Sequence, residues 1–117
     1  MADGAYGTVA DVVERLGLSV RAGDAGLQDA VTGAQVSDLL SYVMAQGRAG
    51  HVWVTIQTHP NVVAVAALAN LSAIMVAAGF EPEEETVMRA DEENIPLLSS
   101  HESAFVLAGK LYEMGIR

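Results

Sequence analysis

The chain has 117 residues, of which 51% are hydrophobic, 18% charged and 5% aromatic; that is enough to bury one core, too little for two, and far from a disordered composition. It contains no cysteine, which excludes disulfides, thiolate zinc sites, cysteine-ligated clusters and cysteine nucleophiles. Its net charge is −9, with seven of the fifteen acids between Glu81 and Glu93, so a polyanion meets repulsion where nucleic-acid binding needs counterion release, and neither DNA nor RNA is expected as a partner.

Met1 to Thr8 lacks the basic and apolar regions of a signal peptide. Val62 to Ala78 is interrupted by Asn70 and Ser72 before it reaches the ~18 apolar residues of a spanning helix. No membrane is expected, and the cytoplasm is the simplest location. Residues 1–7 are expected to be disordered or extended, and residues 8–117 to form a single domain.

Thr8 can cap a first helix that carries Val9, Val12, Val13 and Leu16 on one face and stops at Gly17. Leu18, Val20 and Ala22 alternate as a short strand ended by Gly23. Asp29 to Val36 reads as an extended or hairpin segment, and Ser37 as the start of a helix over Asp38 to Gln46 that buries Leu39, Leu40, Val43 and Met44 and stops at Gly47. His51 to Gln57 is the clearest strand, with Val52, Val54 and Ile56 on one side and Trp53 and Thr55 on the other; both sides are partly apolar, as in a covered central strand. Trp53, in mid-strand, is read as core in preference to a base-stacking platform. Pro60 suits a first helical position, which leaves Thr58 or His59 as the cap of a helix over Asn61 to Leu71.

Ile74, Met75 and Val76 form a buried strand broken from that helix at Ser72. A helix from Glu83 to about Asn94 and a strand from Ile95 to Ser99 follow as a βαβ crossover. The last helix, Glu102 to Met114, buries Phe105, Val106, Leu111 and Tyr112, with Ser99 or Ser100 as its cap. Strands alternating with helices predict an α/β three-layer sandwich around a mainly parallel sheet of about four to five strands. The acidic stretch reads as a solvated helix face, with an acidic docking patch as the alternative.

VSDLLSYVM, VWVTIQTHPNVVAVAAL, AIMVAAG, ADEENIPLLSS and FVLAGKLYEMGI resemble, in order and spacing, a stand-alone DRTGG domain, similar to the N-terminal domain of HPr kinase/phosphorylase, over residues 8–117. In the Asp-Arg-Thr position stand His59, Pro60 and Asn61, and in the Gly-Gly position Ala78 and Gly79, so only Gly79 is retained. The charge chemistry of an Asp-Arg pair does not carry over. In such relatives the domain accompanies catalytic or nucleotide-sensing modules, as in CBS-domain pyrophosphatases and phosphotransacetylases, where it looks regulatory or dimerising. Stand-alone members are also similar to small proteins that accompany hydrogenase and NADH-dehydrogenase-like subunits.

The resemblance does not bring kinase activity with it, because no Gly-rich phosphate loop ending in Lys and Ser or Thr is present and the one lysine, Lys110, lies in the last helix. His51, His59 and His101 are isolated, without the paired spacing of a metal site, and no Gly-x-Ser-x-Gly elbow supports a hydrolase. No catalytic residue, metal or cofactor is assigned. The carboxyl ends of parallel strands are where open α/β sheets bind ligands. Gln57, Thr58, His59, Asn61, Gly79, Ser99, Ser100 and His101 are therefore the candidate ligand-binding residues, expected to converge if their strands are neighbours; the competing reading has Thr58, His59 and Ser99 capping helices and His101 merely on the surface. The functional expectation is a non-catalytic regulatory or ligand-sensing homodimer that binds an adenine nucleotide or small anion. A protein-binding accessory subunit of a redox complex or metabolic enzyme is the alternative, and a small-molecule enzyme of unknown reaction ranks third.

Overall fold

A computed structural model describes residues 6–117; residues 1–5 of the expected N-terminal arm lie outside it. Tyr6 and Gly7 run beside Val31, with Tyr6 N–H donating to Val31 O at 2.7 Å and Val31 N–H to Gly7 O at 2.9 Å. Helix α1, Val9–Leu16, then starts from a reciprocal capping box: Asp11 N–H donates to Thr8 Oγ1 at 3.2 Å and Thr8 N–H to the Asp11 carboxylate at 2.9 Å. It ends on Gly17 at φ 65, where a side chain would be strained.

The remaining elements are β1 (Ser19–Ala22), β2 (Gly33–Val36), α2 (Leu40–Gln46), β3 (His51–Thr55), α3 (Asn61–Leu68), β4 (Ala73–Val76), α4 (Glu84–Glu92), β5 (Leu97–Ser99) and α5 (Ala104–Glu113). They form a five-stranded sheet in the order β1-β5-β4-β3-β2, parallel except for the antiparallel β1–β5 pair. The segment before β2, left open above as extended or hairpin, is extended and leads into a parallel pairing with β3.

Alternation along each strand divides the core between two faces. Val52 and Val54 of β3, Met75 of β4 and Leu98 of β5 pack under α1 and α5 against Val9, Val12, Leu107 and Leu111. Trp53, Ile74, Val76 and Leu97 point the other way, toward Val43, Val62, Val63, Ala66 and Ala90 of α2, α3 and α4. The result is the expected three-layer sandwich. Helix α3 touches α2 on one side and α4 on the other as well as the sheet, which explains why VVAVAAL is apolar around most of its circumference. Trp53 is fully buried, and its indole N–H donates to Ser37 O at 2.8 Å, which meets the polar need of a core tryptophan. Strand β3 is interior, but the middle of the sheet is β4, whose four residues are all buried.

Three expectations change. Helix α2 begins at Leu40, not Asp38, because Asp38 Oδ1 is used at the end of β3, accepting from Thr55 Oγ1 and Ile56 N–H at 2.8 Å each. Its phase shifts accordingly: Leu39 is 63% and Met44 41% exposed, and Val43 alone of the helix is fully buried. Helix α5 is capped by Ser103, whose Oγ accepts from Val106 N–H at 3.2 Å, so neither Ser99 nor Ser100 caps it. Leu107 and Leu111 face the core, while Phe105 is 88%, Val106 38% and Tyr112 56% exposed. Finally, Ile56 lies past the end of β3 and is 39% exposed, so it does not continue the Val52–Val54 face.

Strand β1 also departs from simple alternation. Val20 pairs with Leu98, and Ala22 with the adjacent Leu97, so Arg21 is the extra residue of a β-bulge. Val20 consequently packs toward α1 and α5 while Ala22 faces the opposite core, which two residues of a regular strand spaced two apart cannot do.

Candidate functional site

The eight candidate residues lie at the carboxyl edge of the sheet but do not converge, because β4 separates β3 from β5. At the end of β3 the turn is largely satisfied from within. Gln57 N–H donates to Thr55 Oγ1 at 3.1 Å, and the Gln57 side-chain amide to Asp38 O at 3.1 Å. Thr58 O accepts from Glu83 N–H at 3.2 Å and Thr86 Oγ1 at 2.6 Å, tying the turn to the start of α4. Pro60 has helical dihedrals and no N–H, and Asn61 N–H donates to His59 Nδ1 at 3.0 Å. Of the two capping candidates His59 therefore does the work, with its unprotonated Nδ1 facing the chain. Val62 and Val63 bond back to His59 O and Pro60 O.

The other four residues do meet. Gly79, Ser99, Ser100 and His101 line a cleft of about 310 Å³ with Ser19, Arg21, Phe80 and Glu81. The bulge places Arg21 there. Its Nη2 lies 2.7 Å from Glu81 Oε2, and Nη1 reaches Ser99 Oγ at 3.5 Å. Ser19 is the register partner of Ser99, which brings β1 and β5 hydroxyls to one rim. Ser100 Oγ accepts from Glu102 N–H at 3.1 Å, leaving its own proton free to donate. Beyond it, Glu102 Oε2 stands 2.8 Å from Lys110 Nζ, an ion pair whose geometry falls short of a hydrogen bond.

The fourth wall is the turn after β4. Ala78 and Gly79 adopt φ 61 and φ 76 in succession, held by Ala78 N–H to Glu102 O at 2.7 Å and Gly79 N–H to Ser100 O at 2.9 Å. A methyl group on Gly79 would meet His101 Nδ1 at 3.0 Å, so the glycine serves both the backbone and the imidazole. Arg21, by hydrogen bond first and charge second, holds the Glu81 carboxyl below the usual carboxylate range, against the opposite pull of burial and with His101 adding to it.

Sequence reading missed Arg21, Ser19, Phe80 and Glu81. The available signal was the Ser19-x-Arg21 spacing in a short strand, which puts two polar side chains on one face; the bulge that aims Arg21 leaves no mark in residue type. A wider hollow of about 580 Å³ opens among Asp29, Thr32, Asn70, Ser72, Glu93 and Asn94. It lies at the amino ends of the strands, away from the edge where α/β sheets take ligands, and the Ser72 hydroxyl is spent on Ala30 O at 2.6 Å. Among the described residues no group of three His, Cys, Asp or Glu is placed to hold a metal, and no helix is long and apolar enough to cross a membrane.

No family model and no curated protein sequence matches the chain. Its structure is similar to that of the CBS and DRTGG domains of the regulatory region of Clostridium perfringens pyrophosphatase, complexed with the activator diadenosine tetraphosphate. The TM-score is 0.74 at 12% identity, over 97% of this chain and 52% of that one. The fold is CBS/DRTGG-like. The chain spans about half the length of that relative, which is a regulatory region and not a catalytic one.

Proposed function

We propose that this chain is a non-catalytic regulatory domain that senses a small anionic ligand, with an adenine nucleotide as first candidate, and that it works as a homodimer. The observation that carries the reading is the cleft: a guanidinium aimed by a β-bulge into a recess rimmed by serine hydroxyls and an imidazole, at the carboxyl ends of β4 and β5. Arginine forks match phosphate and carboxylate oxygens, and Phe80, 49% exposed in the same cleft, offers an aromatic face to a base. The diadenosine tetraphosphate bound by the similar regulatory region makes a nucleotide the first compound to try. A ligand of that length anchored at Arg21 extends along the sheet edge toward Gln57, Thr58, His59 and Asn61, three strand spacings or about 14 Å away.

Thermal unfolding with ADP, ATP, diadenosine tetraphosphate and inorganic phosphate tests the proposal. A bound ligand at 100 times its dissociation constant adds ~2.7 kcal/mol, and Arg21→Gln abolishes the shift. His59→Ala leaves it intact for a ligand confined to the cleft and reduces it for one that reaches the turn. Absence of stabilisation by all four compounds overturns the sensor. It would favour the second reading, a protein-binding accessory subunit, which the exposure of Phe105 at 88%, Leu68 at 72% and Leu39 at 63% supports.

A further inference from the structure

We propose that Glu81 is a tethered stand-in for the ligand: its carboxylate pairs with Nη2 of Arg21 in the cleft, and a phosphate group binds by displacing it. The inference rests on the reading of the cleft as the ligand site and adds how that site is regulated and what it selects.

Stability does not account for the Arg21–Glu81 pair. An exposed ion pair contributes little or nothing to stability, and the Glu81 side chain is 72% exposed. Yet the fold gives up a regular ladder in β1 to aim Arg21 at this point. Glu81 is also held loosely. Among the described residues its side chain hydrogen-bonds to Arg21 alone, whereas the turn that carries it is pinned at Ala78, Gly79 and Phe80 by backbone bonds to Glu102 O, Ser100 O and Ala77 O. The carboxylate can therefore swing out without the turn unfolding. Glu81 presents one oxygen, Oε2, to Nη2 while Nη1 reaches Ser99 Oγ, so a phosphate, whose oxygens match both arms of a guanidinium, can take its place and engage Arg21 more fully. A phosphate adds what Glu81 lacks: a further oxygen for the Ser99 or Ser100 hydroxyl and a second negative charge for Arg21 to bind. A terminal phosphate or diphosphate is selected, and uncharged adenosine is not.

Isothermal titration of ADP and of inorganic phosphate into the wild-type chain, Glu81→Gln and Arg21→Gln tests this, with amide spectra recorded for the wild type. Glu81→Gln removes both the competitor and its repulsion and is expected to tighten ADP binding about three- to tenfold; Arg21→Gln is expected to weaken it beyond tenfold, with Arg21→Lys intermediate. ADP should move the amide signals of Gly79, Phe80 and Glu81. Wild-type binding that Glu81→Gln leaves unchanged or weakens overturns the stand-in while the cleft survives as the site. Failure of wild type and Glu81→Gln alike to bind either probe removes both the stand-in and the sensor.

Discussion

Ala78 carries a β-carbon at φ 61, directly before Gly79 at φ 76. A left-handed backbone costs a non-glycine residue roughly 1–2 kcal/mol, partly offset by the greater freedom of glycine in the unfolded chain. Ala78→Gly should therefore stabilise the protein by about 0.5–1 kcal/mol in urea unfolding, and Gly79→Ala should destabilise it and displace His101. Two successive positive φ values are also a physical reason for a Gly-Gly pattern at this turn, although here only the second glycine remains. His51 gives a pH dependence of known sign. The Gln35 side-chain amide donates to Gln46 O at 3.3 Å, which fixes its orientation and presents its N–H to His51 Nδ1 at 3.1 Å. Burial first, and Arg48 second, lower the His51 pKa, so the unfolded chain takes up this proton before the folded one. The stability contributed by neutral His51 is complete above pH ~6.5 and is lost as pH falls through the folded value. Urea midpoints should drop on acidification from pH 7.5 to 5, and His51→Asn should flatten that slope. At this scale the sequence showed Gly79, Ser99, Ser100 and His101 as polar residues at strand ends, but not Arg21, because a bulge depends on the partner strand.

Ser103 rather than Ser99 or Ser100 begins α5, and that shift rotates which residues meet the sheet. Ser103→Ala should cost about 1 kcal/mol through the lost cap. Leu107→Ala, at a fully buried position, should cost about 2–5 kcal/mol, whereas Phe105→Ala should change stability by less than about 0.5 kcal/mol; chemical denaturation of the three variants separates them. Helix α1 and the break at Ser72 were legible because their signals are local: a Thr8 cap, a Gly17 stop, a buried β-branched and aliphatic run after Ser72. The starts of α2 and α5 were not. Asp38 is a good capping residue in isolation, and only the proximity of β3 diverts its carboxylate to Thr55 and Ile56. In α5 three serines stood within reach of the first turn, and the choice among them moved Phe105 and Leu107 to opposite sides.

Across the whole molecule, layer architecture and mainly parallel pairing followed from alternating periodicities, whereas strand order did not, since hydrophobic pattern does not say which interior strands are neighbours. That order decides the site: with β4 between β3 and β5, the eight candidate residues become two groups. The homodimer predicts one sedimenting species at twice the 12.2 kDa chain mass at micromolar concentration; a species at the chain mass removes it. The β2 edge, with no charged residue from Ala30 to Ser37 and with Val36 48% exposed, is the edge of a chain of charge −9 best suited to a second copy, so Val36→Lys should shift the equilibrium toward monomer. The antiparallel pairing of β1 with β5 has a kinetic consequence. Arg21 and Ser99 are 78 positions apart, and closing so long a span is entropically unfavourable until β5 has docked. The strand nearest the beginning of the described chain should thus be among the last to take its place, and its amides among the first to exchange with deuterated solvent. A nascent or half-folded chain would then lack the proposed cleft, and only the finished molecule would present Arg21 to a ligand.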